Sequence, residues 1–114
     1  MPQNFQNYIA GAWHPGDTTI ENINPSDLSD SIGHYAQANR HQLDIALDAA
    51  TSAQKQWAKT GLEARQTILM NIGNELMARR EELGRLLSRE EGKPLAEGIG
   101  EVYRAGQFFT YYAA

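Results

Sequence analysis

Arg89-Glu90-Glu91-Gly92-Lys93-Pro94 ends one long amphipathic region of the chain and begins another. Glycine is the residue that most often takes the left-handed conformation just after a helix, and proline is common at the start of the next one. The stretch therefore predicts that two helices meet at Gly92-Lys93, and the rest of the chain can be placed relative to this junction.

Upstream of the junction, apolar residues recur at helical spacing from Asn39 onward. Asn39 and Gln42 form a capping-box pattern that predicts a helix start, and Thr60 with Glu63 predicts a second one after a break at Thr60-Gly61. The apolar stripe of the first helix is Leu43, Ala46, Leu47, Ala50, Ala53 and Trp57. The stripe of the second is Leu62, Ile68, Leu69, Ile72, Leu76 and Met77. The helical pattern continues to Glu91, and the sequence leaves open a bend near Ala78-Arg79.

Downstream of the junction, the segment from Leu95 to Tyr112 has a helical apolar pattern but contains three glycines, Gly98, Gly100 and Gly106. Each glycine loses more backbone entropy than alanine on folding, so we expect this helix to form only where neighbours pack closely on its glycine face. The aromatic residues Phe108, Phe109, Tyr111 and Tyr112 crowd its last turn. Domain ends are usually more polar, so we expect a chain cut inside an element, with aromatic surface awaiting a partner.

Residues 1–38 have an extended pattern. Tyr8-Ile9 and Trp13 flank Ala10-Gly11, which predicts a hairpin. Alternation and β-branching predict a second strand at 18–23, and a weaker third strand is expected at 31–36. The sequence thus predicts an α+β fold, with short antiparallel strands in 1–38 followed by three to four helices in 39–114.

Composition excludes several functional classes. The net charge is −4 and no run of lysine and arginine stands out, which argues against a nucleic-acid or anionic-membrane surface. The chain has no cysteine, so it holds no disulfide, thiolate metal site or thiol nucleophile. No signal peptide or bilayer-spanning apolar run is evident, and we expect a cytoplasmic protein.

Catalytic patterns are also missing from the sequence. His14, His34 and His41 are scattered and lack metal-ligand spacing. Gly98-Ile99-Gly100 lacks both a third glycine and a preceding strand, so it does not predict phosphate binding. Glu101 is the acidic residue that stands out, because it lies among small and apolar residues, where a carboxylate is costly unless it is paired. Arg104, three residues further along the chain, is the simplest ion-pair partner for Glu101. For Lys93, the expected ion-pair partner is Glu90 or Glu97.

Taken in order, several short motifs resemble the N-terminal part of the aldehyde dehydrogenase family. They are Asn7-Tyr8-Ile9-Ala10-Gly11-Ala12-Trp13, Ile23-Asn24-Pro25, the Gly92-Lys93-Pro94 junction, Leu95-Ala96-Glu97, Glu101-Val102 and the aromatic run 108–113. The sequence at 22–28 and 98–102 is most similar to the branch of the family that oxidises 2-oxoglutarate semialdehyde. The resemblance covers essentially the whole chain, residues 1–114, as part of a Rossmann-type NAD(P)-binding domain.

The resemblance implies a parent enzyme that oxidises an aldehyde to a carboxylate with NAD or NADP. In that family a cysteine thiolate attacks the aldehyde, hydride passes to the nicotinamide, and a glutamate activates water. The cysteine, the region of the general base and the Gly-x-Thr-x-x-Gly cofactor loop are all missing from these 114 residues. The segment alone is therefore predicted to be inactive, with no catalytic or cofactor-binding residue, and its partners are the rest of the chain and the other subunits of a dimer or tetramer.

The resemblance also implies a site for a monovalent cation, K⁺ or Na⁺. In family members two backbone carbonyls before the Asn-Pro pair and an acidic residue on the last helix hold the ion. These positions fall on Asn22, Ile23 and Glu101. Members often carry aspartate where this chain has Glu101, and a further ligand comes from later sequence. A plain ion pair or a solvated carboxylate at Glu101 is the competing expectation.

A second hypothesis belongs to another class. The chain could act as a stand-alone, non-catalytic helical interaction module derived from such an enzyme, docking through its glycine-faced helix and aromatic end. The sequence after Ala114 in the gene separates the two hypotheses, because an enzyme must continue into a cofactor loop and a cysteine.

Overall fold

The computed structural model describes residues 3–114, which form two compact units. Unit 1 holds the described residues up to Ile23 together with Leu28–Lys59, and unit 2 holds Asn24–Asp27 with Thr60–Ala114. The extended conformation expected at Met1 and Pro2 lies outside the described residues. As predicted, strands precede Asn39 and helices follow it.

The described residues of unit 1 form five strands and one helix. The strands are β1 (Gln3–Phe5), β2 (Asn7–Ile9), β3 (Ala12–His14), β4 (Thr18–Ile23) and β5 (Ser31–Gln37), and the helix is α1 (Arg40–Trp57). The predicted hairpin is confirmed, since β2 and β3 pair antiparallel. Its turn residues Ala10 and Gly11 have φ of 52° and 83°, which is the positive-φ pair that a tight two-residue turn requires.

The sheet of unit 1 differs from the expected antiparallel strands in one pairing. Its order is β1-β5-β4, so the strand expected to be weakest, β5, is the central one. β4 pairs with β5 antiparallel, whereas β1 pairs with β5 in parallel. The aromatic rings of Phe5 and Tyr35 stack across this parallel pair with centroids 4.6 Å apart. A Cβ on Gly33 would lie 2.5 Å from Phe5 Cε2, so glycine lets the β1 side chain lie over β5.

Helix α1 begins where the sequence predicts. The side chain of Asn39 accepts a hydrogen bond from the Gln42 backbone N–H at 2.8 Å. The Gln42 side chain does not return that bond; its amide donates to the Pro15 carbonyl at 2.7 Å and accepts from Asn7. The predicted apolar stripe of α1 is largely uncovered, because Leu43, Leu47 and Trp57 are about half exposed.

Unit 2 is built from three helices, α2 (Leu62–Ala78), α3 (Arg80–Glu91) and α4 (Leu95–Ala113). The bend that the sequence left open lies at Arg79, between α2 and α3. The second predicted capping box is wrong, because α2 takes Gly61 as its N-cap residue and has no side-chain cap. The aligned apolar side chains of these helices enclose a small core in which Val102 and Ala113 are buried.

Helix α4 packs on α2 and α3 through glycines, as its composition predicts. A Cβ on Gly106 would lie 2.8 Å from the Gly73 carbonyl oxygen, and a Cβ on Gly73 would lie 2.8 Å from the Gly106 oxygen. Gly84 and Gly98 form the equivalent close approach between α3 and α4. Gly100 is the exception, since open space surrounds it. Two of the three α4 glycines therefore serve helix contacts.

Both units expose large apolar side chains, including the stripe of α1 and the aromatic end of α4. These faces lack the cover that a hydrophobic face normally has.

Candidate functional site

The junction that decides the fold is a tight corner between α3 and α4. Gly92 ends α3 in the left-handed conformation, with φ of 70°, as predicted. The backbone N–H groups of Gly92 and Lys93 both donate to the Ser88 carbonyl, at 2.8 and 3.2 Å. The Ser88 hydroxyl donates to the Lys93 carbonyl at 2.5 Å. The backbone on both sides of Lys93 is thus fixed, and Pro94 caps the start of α4.

The Asn-Pro motif of the sequence packs against this corner. Within the turn 24–27, the Asn24 side chain accepts from the Ser26 N–H at 2.9 Å. The Ser26 hydroxyl then donates to the Gly92 carbonyl at 2.7 Å. A Cβ on Gly92 would lie 2.5 Å from Ser26 Oγ and 2.9 Å from Pro25 Cγ, so the corner needs glycine for space as well as for φ.

Lys93 lies at the centre of the corner with its side chain 18% exposed. Its ammonium contacts the carboxylate of Glu91 and donates to Glu101 Oε1 at 2.5 Å. The hydrogen bond to Glu101, and then the one to Glu91, raises the pKa of Lys93 above its ordinary value. The expected partners were different: Lys93 pairs with neither Glu90 nor Glu97 in the described ion pairs, and Glu101 is paired with Lys93 in place of Arg104.

The three residues of the predicted cation site lie on two elements. Asn22 and Ile23 end β4, where the ladder with β5 shifts register between them. A bulge of this kind disrupts the regular strand hydrogen bonding. Glu101 lies on α4, in unit 2, with its side chain about half exposed. The cation site formed by Asn22, Ile23 and Glu101 stays a prediction, and the Lys93 contact is the observation that bears on it.

The described residues bring together no catalytic constellation. Among residues 3–114 there is no group of three or more histidine, aspartate and glutamate side chains arranged to hold a metal ion. Two open grooves of about 410 and 430 Å³ lie near the end of α4 in unit 2. They are lined mainly by aromatic, aliphatic and amide side chains, with Arg104 and Arg65 as their charged residues. No nucleophile and base pair lines either groove.

Sequence reasoning missed Ser26 and Ser88, whose hydroxyl groups donate hydrogen bonds to the carbonyl groups of the corner. Ser26 and Gly92 are 66 residues apart, so no local pattern predicts their hydrogen bond. The turn chemistry of Asn24-Pro25-Ser26-Asp27 was the available signal, since serine and asparagine commonly bond to nearby backbone groups in turns. None of the described helices is long and apolar enough to cross a membrane.

Comparison with known proteins agrees with the motifs. Residues 13–114 match the aldehyde dehydrogenase family. The chain is 36% identical to an alpha-ketoglutarate semialdehyde dehydrogenase of Haloferax volcanii, over 100% of this chain and 24% of that protein. It is 34% identical to an NADP⁺ succinate-semialdehyde dehydrogenase of Escherichia coli, over 95% of this chain and 23% of that protein.

A solved structure agrees in fold as well as in sequence. The 1-pyrroline-5-carboxylate dehydrogenase of Thermus thermophilus superposes with a TM-score of 0.93 at 31% identity, covering 98% of this chain and 22% of that one. The chain thus spans about a quarter of the length of the relatives it matches. Because the match extends over nearly all of its residues, this chain belongs to the aldehyde dehydrogenase family.

Proposed function

We propose that the segment is the N-terminal structural part of an NAD(P)-dependent aldehyde dehydrogenase, which oxidises an aldehyde to a carboxylate. The observation that carries this proposal is the family match over residues 13–114. The segment itself lacks the cysteine on which the family chemistry depends. Its contribution to the enzyme is therefore packing surface and positioning, and the 114 residues alone are inactive.

The residues present do not fit a bound nicotinamide cofactor. Dinucleotides bind at a glycine-rich turn that leads from a strand into a helix. The passage from β5 to α1 is the one strand-to-helix connection among residues 3–114, and it consists of Ala38 and Asn39 without a glycine. NAD or NADP is accordingly bound by later residues of the whole protein, in the cofactor domain to which this segment contributes.

The exposed apolar faces support the proposal that the rest of the enzyme packs against this segment. Along α4, Phe108 is 59% exposed, and Tyr111 and Tyr112 are each more than 70% exposed. Exposed aromatic surface of this kind marks an interface. In the proposed enzyme the remaining sequence covers it. The alternative, a stand-alone interaction module, would use the same surface for a separate partner protein.

The substrate we propose is 2-oxoglutarate semialdehyde, in keeping with the motif wording at 22–28 and with the Haloferax relative. Other relatives at similar identity are named for succinate semialdehyde and 1-pyrroline-5-carboxylate, so these compounds are the competing substrates. We further propose that the whole protein is a cytoplasmic dimer or tetramer, as expected for this family.

The test is to read the gene beyond codon 114 and to express the complete frame. The proposal expects a cofactor loop, a cysteine and a glutamate, and NAD(P)H formation with 2-oxoglutarate semialdehyde. The kcat/KM for this substrate is then compared with the values for succinate semialdehyde and 1-pyrroline-5-carboxylate, the competing substrates. Higher kcat/KM for one of these would overturn the substrate, and a stop codon directly after Ala114 would overturn the enzyme in favour of the interaction module.

A further inference from the structure

We propose that the Lys93 ammonium supplies the positive charge at Glu101 that a monovalent cation would otherwise supply, so that Glu101 needs no metal ion in this protein. The inference concerns unit 2 alone and does not depend on the proposed enzymatic activity. It replaces the predicted role of Glu101 as a cation ligand with a role as the anchor of an internal ion pair.

The geometry of the carboxylate carries the first step. The Lys93 ammonium donates a hydrogen bond to the Glu101 carboxylate, with Nζ 2.5 Å from Oε1, and hydrogen bonds between two ionised groups are stronger than neutral ones. A K⁺ or Na⁺ ion bound to the same carboxylate would lie within a few ångströms of the ammonium. Two like charges at that separation repel, so the ammonium lowers the affinity of this carboxylate for a second cation.

The burial of Lys93 carries the second step. Its side chain is 18% exposed, whereas the arginines in the other ion pairs, Arg40, Arg79 and Arg80, are 46% to 85% exposed. Exposed ion pairs gain little Coulomb energy and are screened by salt. Lys93 is held against two carboxylates, of Glu91 and Glu101, and it is far better covered than those arginines.

The fixed backbone of the corner carries the third step. The Ser88 hydroxyl holds the Lys93 carbonyl, and Ser26 holds the carbonyl of Gly92 next to it. The backbone from which the Lys93 side chain extends towards Glu101 is therefore held in place. A tethered charge needs no ion from solution, so its stabilisation does not follow the mass-action dependence on concentration that a bound ion gives.

The experiment uses the protein expressed from its complete reading frame, in its unaltered form and as Lys93→Gln. The matched control is Lys59→Gln, which removes the same charge at an exposed lysine in unit 1. Unfolding midpoints are measured in KCl, NaCl and choline chloride at equal ionic strength. Crystals of the unaltered protein are also soaked in Tl⁺, whose anomalous signal reports any ion near Glu101.

The inference expects equal midpoints in the three salts for the unaltered protein and for Lys59→Gln, and no Tl⁺ peak within bonding distance of the Glu101 carboxylate. It expects Lys93→Gln to have a higher midpoint in KCl than in choline chloride, because the vacated carboxylate then accepts an ion. A K⁺-specific rise in the unaltered protein, or a Tl⁺ peak at Glu101, would overturn it. Equal unfolding midpoints of Lys93→Gln in the three salts would also overturn it, because Lys93 would then not take the place of a bound cation.

Discussion

Two glycines of α4, two residues apart, provide a controlled test of the helix packing. Gly98 is buried against α3, and a Cβ there would meet the Gly84 carbonyl oxygen, the Gly84 carbonyl carbon at 3.3 Å and the Ser88 nitrogen at 3.3 Å. All three atoms are backbone and cannot move without shifting α3. Gly100 is exposed, with no atom near its would-be Cβ. Changing each to alanine therefore alters the same helix with and without a clash.

The expected magnitudes follow from two terms. Replacing an interior helix glycine by alanine gains about 1 kcal/mol of helix propensity. Overpacking a close contact costs about 1–3 kcal/mol. Gly100→Ala should therefore raise the free energy of unfolding by about 1 kcal/mol. Gly98→Ala gains the same helix propensity, but the clash with α3 cancels or exceeds that gain, so its free energy of unfolding should stay unchanged or fall. The difference between the two variants should be about 1–3 kcal/mol.

The assay is urea unfolding of the 114-residue chain followed by far-ultraviolet circular dichroism. Fluorescence is unsuitable because both tryptophans, Trp13 and Trp57, lie in unit 1. The slope of the transition should be equal in both variants, so that the shift in midpoint reports stability. Equal effects of the two substitutions, or a Gly98→Ala variant as stable as Gly100→Ala, would refute the glycine-mediated contact between α3 and α4.

Three further predictions concern the corner between α3 and α4. Ser26→Ala removes the hydrogen bond to the Gly92 carbonyl and should lower the free energy of unfolding by about 1 kcal/mol in urea titrations. An unchanged midpoint for Ser26→Ala would contradict the contact. Gly92→Ala should cost about 1 kcal/mol or more, because φ is 70° and the methyl group would meet Ser26; a stability gain, as at an ordinary helix glycine, would show that the corner is built differently. The pKa of Lys93 is raised in the folded chain, so the ion pair's contribution to the free energy of unfolding is complete below the ordinary lysine pKa of about 10.5 and is lost as pH rises through the raised pKa. The difference in free energy of unfolding between the unaltered chain and Lys93→Gln should therefore narrow at alkaline pH. A difference that stays constant with pH would contradict the ion pair.

Local signals in the sequence predicted the local structure well. The side chain of Asn39 caps α1, Ala10-Gly11 forms the hairpin turn, and Gly92 is left-handed, since each depends on a few adjacent residues. The strand at 18–23 was predicted within its observed limits. The three glycines of α4 indicated close helix contacts, although the sequence could not tell which of these three, Gly100, faces open space.

Long-range features could not be predicted from the sequence. The parallel pairing of β1 with β5 joins a short polar segment to residues about thirty positions away. The partner of Lys93 was missed because several glutamates lie within reach along the chain, and only the folded corner selects Glu91 and Glu101. The helical period of α1 indicated an apolar face, but a period does not specify what covers that face.

We propose that this segment supplies structure to an aldehyde dehydrogenase whose catalytic cysteine and glutamate belong to the rest of the protein. The most direct measurement is the rise in absorbance at 340 nm, with 2-oxoglutarate semialdehyde and NAD⁺ or NADP⁺, for the complete-frame protein and the 114-residue chain at equal concentration. We expect steady NAD(P)H formation by the complete protein and none by the segment. Turnover by the 114 residues alone, or its absence in a complete protein that carries the cysteine and glutamate, would contradict it.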